Sequence, residues 1–282
     1  MKALVDSPAR CYHCASTSYA PYLEENGFAL VKCAGCGLLF VEHPPPPNEI
    51  EHATQEGRHQ GEVALEVTGR FHRTAMRRYR RILAKVFGDD LRQKRHWLDV
   101  GCGHGELLAT LGRIAPHIHA KGMEPNQYKV ASARSRGLDV SRFDLATHME
   151  RYDIVSLLNV YSHLPDPPTF LGELRRLLVP GGELLVQTGD AADFAADDQF
   201  RPMGLPDHLS FASERILVEM LQRLGFEIVA VRKFSYLGRD PLSISKEVAK
   251  LFLPGYHSQL PGYFHWVRYS RANMFIRSRL RP

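Results

Sequence analysis

The chain has 282 residues, 44% hydrophobic and 24% charged, with a formal charge of +5. That length holds one large domain with an appendage or two small ones, and a core that needs no disulfide staples. No run nears the roughly 18 apolar residues of a membrane span, and the opening MKALVDSPARCYHC lacks a signal-type apolar region. Membrane-spanning and secreted classes are thereby disfavoured, and the cytoplasm is the expected location.

The charge is uneven. Residues 68–95 and 232–282 each carry ten Lys/Arg against two acids, so the rest of the chain is acidic. An anionic partner, nucleic acid included, is one reading of these segments. A solvated helix face and a basic tail is the other.

In chain order, the first feature is a pair of C-x2-C knuckles, Cys11/Cys14 and Cys33/Cys36, separated by eighteen residues. Four thiolates so spaced suit a tetrahedral Zn2+ in a closed structural site, and Gly35 and Gly37 allow backbone amides to turn toward sulfur. Residues 1–45 are therefore expected to form a zinc ribbon. The run Pro44-Pro45-Pro46-Pro47 and the polar residues after it read as a linker over 46–62. The spacing of Val63, Val67, Phe71, Ala75, Tyr79, Leu83 and Phe87 predicts one helix, with Arg70, Arg73, Arg77, Arg80 and Arg81 mostly on its other faces.

From residue 96 strands and helices alternate. Strands are expected at His96–Val100, Ala120–Glu124, Leu138–Phe143, Tyr152–Leu158, Glu183–Thr188 and Phe226–Phe234. Helices are expected at Glu106–Ile114, Gln127–Arg136, Pro168–Leu178 and Ser213–Leu224. This α/β alternation predicts a doubly wound, mostly parallel sheet with its ligand at the carboxyl ends of the strands. A last strand is expected at Asn273–Arg279, after a proline-interrupted stretch.

Trp97-Leu98-Asp99-Val100-Gly101-Cys102-Gly103-His104-Gly105-Glu106 is a buried strand ending in G-x-G-x-G and opening a helix. The glycines permit a sharp turn and close ligand approach, and the helix N-terminus favours an anion. The spacing is one residue short of the dinucleotide fingerprint, and no Gly-Lys-Ser/Thr marks a P-loop. The next strand ends Gly122-Met123-Glu124-Pro125, placing an acid about twenty residues beyond the turn, where a carboxylate can accept ribose hydroxyls.

LDVGCGHG, GMEP, YDIVSLLNVYSHLPDP and LLVPGGELLVQT together resemble the successive motifs of class I S-adenosylmethionine-dependent methyltransferases, over roughly residues 70–238 plus the final strand. The four-cysteine ribbon ending CGLLF and the later PDHLSFASERILVEMLQRLGF are similar to zinc-ribbon methyltransferases of bacterial sugar, polysaccharide and natural-product pathways. The resemblance implies a Rossmann-like seven-stranded sheet spanning 63–282, with S-adenosylmethionine as cofactor and S-adenosylhomocysteine as product.

It further implies that Gly101, Gly103 and Gly105 line the methionine and adenosine moieties, with Asp99 supporting the amino group. Glu124 would hold the ribose, and Met123 and Pro125 would pack on the adenine. Phe143-Asp144-Leu145 would close over the adenine, with Asp144 accepting its exocyclic amine, and Asn159 would sit near the methionine portion. Where many relatives read Glu-His, this chain reads Ser162-His163. His104 is expected to meet solvent or backbone, and Cys102 to be an apolar packing residue beside the cofactor.

Methyl transfer is an in-line displacement that depends on alignment in a dry pocket, and a base is needed where the nucleophile is an alcohol or carbon acid. His163 and His208, both expected at the ligand-binding edge of the sheet, are the candidates, with Tyr161 a third. The stretch 239–268, with Tyr256, His257, Tyr263, His265 and Trp266, is expected to form a lid. A small-molecule acceptor, anionic to suit the basic segments, is the leading reading. An RNA acceptor gripped by the ribbon and the Arg-rich helix is weaker, because Phe71, Tyr79 and Phe87 fall on the apolar stripe. A catalytically silent cofactor-binding module is the third reading. The sequence does not specify O-, N- or C-methylation, or an oligomeric state.

Overall fold

The computed structural model describes residues 10–199, 201–234 and 273–281. Tyr19–Glu25 (β1), Phe28–Cys33 (β2) and Leu39–Val41 (β3) form an antiparallel sheet. The β1–β2 turn is Asn26-Gly27, with φ of +56° and +76°. A two-residue hairpin loop needs that left-handed pair to match strand twist, and Asn-Gly supplies it at least steric cost.

The expected linker is instead a helix, Pro47–Glu56 (α1), closed by Gly57 in the left-handed conformation. Pro47 at the first helical position loses no hydrogen bond and presets φ. Only Ile50 of this helix is buried, which is why its polar sequence reads as a loop. The short strands Arg58–His59 (β4) and Leu65–Glu66 (β5) then pair.

The long helix expected from Val63 begins only at Arg73. Val63 is exposed, Leu65 and Glu66 are in a strand, and Gly69 sits at φ +62°, which no helix admits. The helix proper, Arg73–Val86 (α2), buries Met76, Ile82, Leu83 and Val86 and leaves Arg73, Arg77, Arg80 and Arg81 exposed.

The main domain follows as His96–Val100 (β6), Glu106–Ile114 (α3), His119–Glu124 (β7), Gln127–Arg134 (α4), Val140–Arg142 (β8), Tyr152–Leu158 (β9), Pro167–Leu174 (α5), Leu178–Gly189 (β10), Ser210–Phe211 (β11), Glu214–Arg223 (α6), Phe226–Phe234 (β12) and Asn273–Leu280 (β13). Seven strands form one sheet in the order β12-β13-β10-β9-β6-β7-β8. β13 runs antiparallel to both neighbours, and the β10-β9-β6-β7-β8 portion is parallel. The order reverses between β6 and β9, which opens a crevice at the strand C-termini.

One face of the sheet is covered by α2 and α3 through Leu83, Phe87, Trp97, Leu107 and Leu111. On the other face Leu30, Leu38 and Leu39 of the N-terminal module share a continuous core with Ile216, Leu217 and Leu221 of α6. Each such leucine contributes about 1.5–3 kcal/mol on burial. β11 adds to β3, pairing Ser210 with Phe40 and Phe211 with Leu39. The module is thus built into the main domain.

Part of the excess basic charge is neutralised internally. Glu183 is fully buried and is held by Arg277 (2.8 Å), Arg279 (2.9 Å) and Lys94 (3.3 Å). Burial opposes its ionisation, but these cations outweigh the cost and keep the carboxyl below its usual range. Lys233 pairs with Asp190 and Glu214. No helix among the described residues is long and apolar enough to cross a membrane. The expected lid at 239–268, with Tyr256, His257, Tyr263, His265 and Trp266, lies outside the described residues.

Candidate active site

β6 delivers the chain into the glycine turn. Gly101 sits at φ +71°, and a Cβ there would stand 2.4 Å from Val160 Cγ2, so neither backbone nor space admits a side chain. Gly105, at φ +88°, has Leu138 Cδ1 2.3 Å from its would-be Cβ and serves helix packing. The turn is locked to the next strand by Glu124, which is 4% exposed. Its Oε2 accepts the Gly103 N–H at 2.8 Å, and its Oε1 accepts the Asn126 N–H at 3.1 Å. Asp99 is buried one strand-end away and accepts the Ser156 hydroxyl at 2.5 Å. Burial pushes its carboxyl up to about 7, against the pull of the Ser156 bond.

These groups open onto a cavity of about 610 Å³ at the C-terminal edge of the sheet. Asp99, Gly101, Gly103, Glu124, Pro125 and Asn159 line it, as does Cys102. Asn159 takes φ +59°, a region asparagine tolerates better than most residues, and its N–H is held by Gln187 O at 3.0 Å. Four expected cofactor residues stand elsewhere. Met123 is buried in β7, where its carbonyl accepts the Gly101 and Cys102 amides, and Gly105 and Leu145 pack inside. Asp144 turns its carboxylate to the Thr147 amide and hydroxyl. Its neighbour Phe143 is at the wall instead, stacked on Phe170 with ring centroids 6.0 Å apart.

His163 and His208 both reach the cavity, with ring centroids 4.6 Å apart. His163 Nδ1 donates to Asp207 O at 2.8 Å and lies 3.2 Å from Asp207 Oδ1. Burial works against a charged His163, but the Asp207 carboxylate outweighs it and raises the imidazole above its usual range. His208 Nδ1 donates to Met203 O at 2.7 Å. Burial first, then the neighbouring His163, pushes its imidazole down to about 4. With Nδ1 committed as donor, the neutral ring carries its lone pair on Nε2.

Tyr161 is corrected. It is wholly buried, and its hydroxyl meets Tyr12 OH at 3.0 Å beneath the ribbon, away from the cavity lining. Burial and the neighbouring Tyr12 hold its hydroxyl far above the usual range. It joins two parts of the core and is not placed to take a proton from an acceptor. His104 is also buried, bonded to Ser132 Oγ (2.8 Å) and Thr68 O (2.9 Å), so it ties the 57–68 segment to the glycine turn.

Several cavity residues escape the linear reading. α1 contributes Ile50, Glu51, Thr54 and Gln55, and Lys129 and Arg142 add positive charge to the wall. His59 and Asp207 also line the cavity, with His59 Nε2 2.9 Å from Asp207 Oδ1. His59 and Asp207 stand far apart in the chain, and no local periodicity links them. A polar helix with one buried residue carries almost no signal.

In the ribbon, the sulfurs of Cys11, Cys14, Cys33 and Cys36 lie within 4.8 Å of one another and form no disulfide. The Cys11–Cys36 and Cys14–Cys33 separations are 3.5 and 3.4 Å. Four thiolates around one ion with bonds of about 2.3 Å stand about 3.8 Å apart, so the set fits a tetrahedral metal. Burial works against a Cys33 thiolate, but the Cys36 amide, the Cys14 side chain and the Gly35 amide bring it down to about 7.

A seven-stranded sheet with a glycine turn, a ribose-spaced acid and a crevice beyond them is the S-adenosylmethionine-dependent methyltransferase architecture. Residues 71–231 match the family described as a methyltransferase domain, and the chain belongs to that family. A ubiquinone biosynthesis O-methyltransferase of Salmonella enteritidis is 31% identical over 99 residues, 32% of this chain and 41% of that protein. The chain thus spans about two fifths of the length of that curated relative. A solved S-adenosylmethionine-dependent methyltransferase from Archaeoglobus fulgidus shares the fold at TM-score 0.52 and 18% identity, over 73% of this chain and 93% of that one. The cyclase SpnF does so at TM-score 0.52 and 23% identity, over 76% and 84%. A cyclase on the same scaffold shows that the fold alone does not specify the reaction.

Proposed function

We propose that the protein transfers a methyl group from S-adenosylmethionine to a nucleophilic atom of a small organic molecule, and that its ribbon holds a structural Zn2+ through Cys11, Cys14, Cys33 and Cys36. The observation that carries this reading is that two groups of residues line one cavity. The first is the glycine turn with Asp99 and Glu124, read as the cofactor end, and the second is His59, His163, Asp207 and His208, read as the acceptor end.

The residues fit the cofactor. Ionised Asp99 suits an amino group, Glu124 offers carboxylate oxygens to ribose hydroxyls, and Gly101 and Gly103 admit a ligand against the backbone. S-adenosylmethionine supplies the electrophilic methyl group on its sulfonium. The chain's part is to fix the nucleophile in line and keep water out, through α1, Val160, Leu164 and the Phe143–Phe170 stack. His208 offers an Nε2 lone pair to the nucleophile's proton or to an ion.

A volume of about 610 Å³ is in the range of small-ligand pockets. Lys129 and Arg142 at the wall suit an acceptor with a carboxylate or phosphate. The histidine cluster suits a hydroxyl acceptor, and the Salmonella relative, by name an O-methyltransferase, supports oxygen as the nucleophile. The test is incubation of the protein with methyl-labelled S-adenosylmethionine and fractionated cell extract. Label in the small-molecule pool supports the reading. Label in RNA would overturn it in favour of an RNA methyltransferase, and cofactor binding without label in any pool would favour a silent module.

A further inference from the structure

The acceptor end of the cavity concentrates metal-type donors. His163, Asp207 and His208 each bring a ligand-type atom within 4.8 Å of the others, and all three line the cavity. Both histidines spend Nδ1 on a backbone carbonyl, His163 on Asp207 O and His208 on Met203 O. That arrangement is the usual outer partner of a metal-ligating histidine: it fixes ring and tautomer and leaves Nε2 as the electron-pair donor.

His59 supplies the independent observation. It is 3% exposed, and its Nε2 stands 2.9 Å from Asp207 Oδ1, the same carboxylate oxygen that lies 3.2 Å from His163 Nδ1. Two donors sharing one ion at about 2.0–2.2 Å stand about 3 Å apart, which is the His59–Asp207 spacing.

We propose that His163, Asp207 and His208 ligate a divalent first-row transition-metal ion at the acceptor end of the cavity, with His59 as a further donor. Two imidazoles and one carboxylate with open positions suit such ions, and the site is separate from the all-thiolate ribbon. The ion's open positions would take an acceptor oxygen, hold it in line and lower its hydroxyl pKa, the released proton passing to water. This rests on the reading of that end of the cavity as the acceptor subsite.

The test uses the full chain with its ribbon metal in place. Mn2+, which prefers imidazole and carboxylate to thiolate, is titrated in and followed by loss of the free-ion paramagnetic resonance signal. The titration is repeated with Zn2+ by calorimetry. S-adenosylhomocysteine binding by the same samples checks the fold. The expected result is one saturable ion per chain, bound about tenfold or more weakly in Asp207→Asn and His208→Ala, with S-adenosylhomocysteine binding retained. If either variant fails to bind S-adenosylhomocysteine, His59→Gln supplies the comparison. No saturable site for either ion, or affinities unchanged by the substitutions, overturns the proposal. Methyl transfer at equal rate with and without the ion overturns its role and leaves the methyltransferase reading standing. A saturable site in a protein that methylates nothing does the reverse.

Discussion

The carboxylate of Glu25, at the tip of the ribbon hairpin, accepts the backbone N–H of Gly204 at 2.6 Å, and it also takes the amides of Met203 (2.7 Å) and Leu205 (3.1 Å). Asn26 adds a bond to Leu205 O, and Val41 N–H bonds to Leu209 O. The loop so gripped carries Asp207 and His208, and Met203 O is the carbonyl that orients His208. The ribbon therefore holds the loop that carries the histidine end of the cavity.

Glu25→Gln tests that grip. An amide keeps the shape and loses the charge in bonds worth about 1.5–3 kcal/mol each when charged. The expected outcome is a turnover rate about tenfold lower, with S-adenosylhomocysteine affinity unchanged because the glycine turn and Glu124 are untouched. Equal loss of cofactor affinity and turnover would instead mean a general loosening of the fold.

With Asp99 as the proposed partner of the cofactor's amino group, cofactor binding is expected to depend on pH. Its carboxyl, pushed up to about 7, stays protonated in the native state where the unfolded chain's carboxyl, near the usual ~3.9, has ionised. Native Asp99 thus binds more protons than unfolded Asp99, so its contribution to stability falls as pH rises from about 4 to about 7. A cationic amino group beside it favours the ionised form, so cofactor affinity is expected to rise with pH up to about 7. Asp99→Asn should flatten both trends, as read by calorimetry and thermal melts across that range.

The strand–turn–helix around Gly101 was legible because its signal is local: a buried strand, three glycines and a helix in ten residues. Glu124 was legible from spacing, and the cysteine knuckles from composition. Directly after β8, Phe143 takes the cavity wall while Asp144 turns its carboxylate to Thr147, a difference between neighbours that spacing does not encode. Tyr161 sits beside His163 in sequence, but one turn of 3-10 helix, Tyr161–His163, sends the two side chains opposite ways, to Tyr12 and to the cavity. α1 and the His59–Asp207 contact were illegible, since the first has a single buried residue and the second is purely long-range.

The buried acid of the sheet carries a stability prediction. Glu183→Gln leaves Arg277, 3% exposed, without its carboxylate partner in the interior. Breaking one side of such a buried pair costs about 3–5 kcal/mol. The expected result is a marked drop in thermal midpoint, with the cavity residues and cofactor affinity per folded molecule unaffected. A change under about 0.5 kcal/mol would show that Asp90, which also bonds Arg277, is partner enough.

The most direct measurement counts methyl label in the small-molecule pool for the wild-type chain and for His208→Ala, with S-adenosylhomocysteine affinity measured on both. The account predicts label in a small molecule for the wild type, a loss of about a hundredfold or more in the variant, and matching affinities. Equal labelling by both proteins, or label confined to RNA, would contradict it.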